Sequence, residues 1–159
     1  FDDLFGSAPA LPSELAGPAA LDIFARPKRS DDSSNVSTKQ KAKEKAKEDE
    51  KALPILTKAS EIADTGKFDV QLAQAYLNLE RWQDAITAAN KALSRGNINR
   101  VGDMHLVIGM AQFNLSAFDQ ALIAFTQAQK LPKSAKTAKQ WFHYVEREQG
   151  QQARLALLN

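Results

Sequence analysis

Two side chains in this chain titrate near neutrality, His105 and His143, and no cysteine accompanies them. Proton transfer at pH 7, or metal ligation, would fall first to these imidazoles. Neither belongs to a zinc-type spacing of histidines, and no Gly-rich phosphate loop or hydrolase-type serine elbow occurs. The 19 Asp and Glu residues are scattered over what read as helix surfaces. No pair of them stands apart as an acid–base couple. Without cysteine there is no thiolate metal site, no disulfide and no cysteine nucleophile. The expectation is therefore a protein that is not an enzyme, with no cofactor and no metal.

Length and charge narrow the remaining classes. At 159 residues the chain accommodates one domain and a tail. Lys and Arg total 21 against 19 acidic residues, a net charge of +2. No dense basic patch is interleaved with aromatics, so nucleic acid is not an expected partner. No apolar run approaches the roughly 18 residues of a membrane span, so direct membrane insertion is not expected either. The chain opens Phe1-Asp2-Asp3, and no basic region followed by an apolar one marks a signal peptide within it.

What positions the side chains is a pattern written twice. Leu72, Ala73, Tyr76, Leu79, Trp82, Ala85, Ala89 and Ala92 superimpose on Ile108, Gly109, Gln112, Leu115, Phe118, Ala121, Phe125 and Ala128. From Ala85 to Ala121 the shift is 36 residues, a period that signals stacked helical hairpins. Small residues (Ala73 or Gly109, Ala85 or Ala121, Ala92 or Ala128) recur where two helices must approach closely. The links Glu80-Arg81 and Ser116-Ala117 are short enough to force antiparallel neighbours. Helices are predicted at 68–79, 82–95, 102–114 and 118–131.

These residues resemble the tetratricopeptide repeat (TPR), whose unit is a helix–turn–helix of about 34 residues. The resemblance departs from the family where an aromatic is expected early in the first helix, since Asp69 and His105 stand there. The closing proline is roughly in place as Pro132 and absent from the first copy. On this reading His105 is a partly buried core residue and His143 faces solvent or the groove.

The fold class expected is all-α: a short TPR-type solenoid with a C-terminal capping helix, behind a disordered tail and a charged helical spacer. Residues 1–38 hold four of the six prolines, with many Ala and Ser, and form the tail. Residues 39–51 alternate Lys and Glu and form the spacer. The helical domain spans 52–159, with a partial repeat at 52–65, repeats at 66–100 and 102–133, and the cap at 134–157. In the partial repeat Ala52, Ile55, Leu56, Ala59 and Ile62 make one apolar face, and Pro54 belongs in the first helical turn. The cap carries a stripe of Ala138, Trp141, Phe142 and Val145, and Gly150 is a candidate break.

In TPR arrays the first helix of each hairpin lines a concave groove. Carried over residue by residue, the resemblance implies partner-binding positions at Val70, Gln74, Leu77 and Asn78, then Leu106, Met110, Phe113 and Asn114. Tyr144 on the cap extends this surface. The set is apolar with amides, and Val70 and Gln74, then Leu106 and Met110, stand where carboxylate-clamp TPRs carry Lys and Asn, so an extended or helical apolar peptide suits it. Two short motifs in the tail, Asp3-Leu4-Phe5 and Asp22-Ile23-Phe24, are alternative docking segments or ligands for the chain's own groove.

A finer resemblance runs from Lys51 to Arg147. Ala52-Leu53-Pro54-Ile55-Leu56, Leu72-Ala73-Gln74-Ala75-Tyr76-Leu77, Gly109-Met110-Ala111-Gln112-Phe113-Asn114-Leu115 and Gln140-Trp141-Phe142-His143-Tyr144-Val145 carry it. It is similar to proteobacterial TPR proteins encoded beside TonB, ExbB and ExbD. That resemblance implies a periplasmic scaffold or adaptor serving a TonB-type envelope complex, with a cytoplasmic location as the alternative. A protein partner is expected, and homo-oligomerisation is open to such a chain.

Overall fold

The computed structural model describes residues 32–159, and among them every regular element is a helix. In chain order these are α1 (Asp32–Ile62), α2 (Lys67–Asn78), α3 (Trp82–Arg95), α4 (Val101–Asn114), α5 (Phe118–Gln129) and α6 (Ala135–Leu157). The all-α expectation holds. The boundaries expected for α2 to α5 lie within two residues of those observed.

The sequence period is also a structural one. At the end of α2, Leu79 N–H donates to Ala75 O (3.0 Å), Glu80 N–H to Leu77 O (3.1 Å) and Arg81 N–H to Tyr76 O (2.9 Å). At the end of α4, Leu115 donates to Ala111 O (3.0 Å), Ser116 to Phe113 O (2.9 Å) and Ala117 to Gln112 O (2.9 Å). Every donor and acceptor has moved by the same 36 positions. The pattern is the Schellman motif, which satisfies the last helical carbonyls and reverses the chain. Its left-handed residue is Glu80 in one copy (φ 58°) and Ser116 in the other (φ 60°). Neither is glycine, so each turn carries a local cost of about 1–2 kcal/mol. The link from α3 to α4 differs, because Gly96 sits at φ 70°, ψ −162°, a region open in practice only to glycine.

Each helix packs on the next in sequence, and α2 also touches α4, as α4 touches α6. Two layers result: α2, α4 and α6 side by side, with α1, α3 and α5 backing them. The small residues named above are where the layers close. Ala73, Ala85, Ala92, Ala121 and Ala128 are fully buried. A Cβ added to Gly109 would lie 2.6 Å from the Phe125 ring. Phe125 replaces Ala89 of the first copy, so the glycine makes room for a ring that the first hairpin lacks.

Two expectations need correction at the ends. The segment expected as end of tail, spacer and partial repeat is a single 31-residue helix, α1, that begins at Asp32. Pro54 therefore lies in its interior and not in a first turn. The Lys, Glu and Ala of 39–51 are good helix formers, and they carry the helix through a residue that removes one backbone bond. The buried face of α1 is only in part the one expected: Ala52, Leu56 and Ala59 are half-buried and Leu53 is buried, while Ile55 and Ile62 are 72% and 83% exposed. An apolar stripe is buried only where a neighbour covers it, and α1 packs along one helix, α2. At the other end α6 passes through Gly150 without a break, and Leu155, Leu157 and Leu158 are exposed.

Candidate functional site

Most of the expected groove is not a surface. Leu106 and Met110 are each 1% exposed, Leu77 is fully buried and Val70 nearly so. Asn78 is buried too, and its Nδ2 donates to Asp49 Oδ2 of α1 at 2.9 Å. These residues line the contacts of α2 and α4 with their neighbours. The motifs Asp3-Leu4-Phe5 and Asp22-Ile23-Phe24 lie outside the described residues.

Four of the expected positions remain at or near the surface. Gln74 is half-buried, and with its amide oxygen turned to the guanidinium it accepts from Arg100 Nη1 (2.9 Å) and Nη2 (3.0 Å). Arg100 is itself held by Asp103, Nε to Oδ2 at 2.6 Å. Phe113, Asn114 and Tyr144 come together at the seam between α4 and α6. The Phe113 and Tyr144 rings are 5.4 Å apart and both half-buried. Behind them Phe113 meets Phe118 at 5.7 Å and Trp141 at 6.0 Å, each edge-on. Edge-to-face geometry fixes these rings beyond what burial alone would do. Asn114 is exposed, and its Nδ2 donates to Met110 O at 2.8 Å, which orients the amide at the end of α4. The seam thus presents two ring edges and one carboxamide on a rigid backing.

The histidines stand apart from this seam. His105 is half-buried, and burial first, then the nearby Lys130 charge, lowers its pKa from the usual 6.5. His143 is exposed, with Nδ1 3.3 Å from Glu146 Oε2. Among the described residues no group of three or more His, Cys, Asp or Glu is arranged to hold a metal, and no helix is long and apolar enough to cross a membrane.

The polar constellation that sequence reasoning missed surrounds Asp69, which is fully buried. Ser60 Oγ donates to Asp69 Oδ1 at 2.5 Å, Arg95 Nη1 to Oδ2 at 3.2 Å, and Lys91 Nζ lies 3.7 Å from Oδ1. Arg95 also donates to the carbonyls of Ser60 (2.5 Å) and Ala63 (3.3 Å) at the end of α1. A signal was available: a carboxylate, Asp69, stands on a helix with Lys91 and Arg95 sharing a face of the following one. Near the start of α4 there is also an open cleft of about 550 Å³, lined in part by Arg100, Asp103, Pro132, Lys133 and Ser134.

No protein-family model, no curated protein and no solved structure matches this chain. The reading of the site accordingly rests on the geometry just described.

Proposed function

We propose that the chain is a non-enzymatic interaction module of the TPR kind, and that it holds a peptide or helix of a protein partner at the α4–α6 seam. The observation that supports this reading most is the Phe113–Tyr144 pair with Asn114 beside it. Half-buried aromatics on a rigid backing, next to an exposed and oriented amide, are the anchors that peptide recognition uses. The repeated turn at Glu80 and Ser116 supports the repeat reading, because it reverses the chain in the same way inside both hairpins. The broad apolar groove implied by the family is replaced here by this smaller site. Following the finer resemblance, the first partners to test are components of a TonB-type envelope complex.

The test pairs a surface change with one at the ring pair. Asn114→Arg should melt within a few degrees of the unaltered chain, and Tyr144→Lys, which also removes ring contacts to Phe113 and Trp141, is assayed at a temperature where its own melting curve shows it folded. Affinity capture followed by mass spectrometry should recover a protein on the unaltered chain and lose it on both variants. Equal recovery on all three chains would reject the seam as the binding site.

A further inference from the structure

Helix α1 is attached differently from every other helix. It packs along α2, and Lys91 and Arg95 of α3 reach its end through side-chain bonds. Its buried positions are Asp49, Leu53 and Ser60, two of the three polar. Asp49 is held by Asn78, and Ser60 by Asp69. The last carbonyls of α1 have no basic residue of their own in the final turn. Arg95 of α3 caps them from outside, through Ser60 O and Ala63 O. Between the two polar contacts lies Pro54, which cannot donate to the carbonyl one turn back. Leu53 is the one buried apolar side chain of α1 among the described residues, with Leu56 partly buried beside it, so the apolar contact is thinner here than under α6.

We propose that α1 is a detachable arm: it releases from the α2–α3 hairpin as a unit while α2 to α6 stay folded, with Asp69 as the catch. The physical reason is that a contact made of a few polar bonds depends on all of them together. Asp69 keeps its ion pairs to Lys91 and Arg95 within the α2–α3 hairpin, and it holds α1 through Ser60 and by orienting Arg95 toward the carbonyls of Ser60 and Ala63. Release uncovers the side of α2 that carries Asp69 and Asn78, so this end of the stack has two states. The proposal goes beyond the seam reading and does not depend on it.

The absence of native cysteine makes the test clean. A single thiol is placed by Leu53→Cys on the buried face of α1, or by Val145→Cys on the buried face of α6, and its reaction with a maleimide is followed. Local opening lets the α1 thiol react about 100-fold faster than the α6 thiol. Adding Asp69→Asn should raise the α1 rate about 10-fold further and leave the α6 rate unchanged. Equal rates at the two positions, or an equal acceleration of both by Asp69→Asn, would overturn the proposal. Because Leu53→Cys itself shortens a buried side chain, hydrogen exchange of the unaltered chain is the second reading. Amides of 55–62 should exchange about 100-fold faster than those of 138–149, and a common rate for both would show that α1 opens only with the whole fold.

Discussion

The two ends of the stack are closed by opposite means. At the C-terminal end α6 buries Thr137, Ala138, Trp141 and Val145. Trp141 lies flat on Phe125, with centroids 5.5 Å apart and planes 10° from parallel. At the N-terminal end α1 buries one leucine between an aspartate and a serine. Burial of aromatic surface is non-directional and tolerates small shifts, whereas hydrogen bonds in a buried site lose most of their value once geometry is lost. The C-terminal end is therefore a cap, and the N-terminal end a latch. The same contrast separates the two copies, since the position that holds Asp69 in one holds His105 in the other.

The comparison can be broken most directly at the cap. Trp141→Ala removes the largest fully buried side chain and should cost about 3–5 kcal/mol by urea unfolding. A cost below about 1 kcal/mol would mean that α6 is held no more firmly than α1. Met110→Glu should also be strongly destabilising, because it puts a carboxylate at a position 1% exposed with no partner built for it. An unchanged melting curve for that variant would restore the open groove expected from the sequence.

Smaller effects sharpen the comparison between copies. Glu80→Gly and Ser116→Gly relieve the same left-handed turn and should each stabilise by about 0.5–1 kcal/mol. At this chain length that is a rise in melting temperature of roughly 2–4 °C per kcal/mol. A gain from one substitution and a loss from the other would show that the two turns are not equivalent.

The least of these effects is a pH dependence confined to the second copy. The folded pKa of His105 lies below the ordinary 6.5, first through burial and then through Lys130. The unfolded chain thus binds the proton more readily. The His105 contribution to stability is present above 6.5 and is lost as pH falls through the folded value. His105→Gln should flatten that segment of the stability profile, and an unaltered slope would place its origin elsewhere.

Much of the fold was legible in the residues alone. The spacing of Ala73, Ala85 and Ala92 against Gly109, Ala121 and Ala128 located both hairpins, because small residues at helical intervals mark close approach whatever the rest of the chain does. The candidate site was legible only in part. Gln74, Phe113, Asn114 and Tyr144 remain at or near the surface, but Val70, Leu77, Asn78, Leu106 and Met110 went inside. A position on a helix can be assigned to a face from sequence, while the neighbour that covers the face comes from another part of the chain.

For α2 to α5 the amino-acid order by itself determined where the helices begin, where they turn back and at what period they recur. These follow from backbone hydrogen bonds and sterics within a few residues, as the matching turns at Glu80 and Ser116 show. Only the tertiary structure decided that Ile55 and Ile62 face outward while Asp49, Ser60 and Asp69 face inward. Hydropathy ranks side chains one at a time, but a buried aspartate is tolerable only when a serine from one helix and two cations from another arrive at it together.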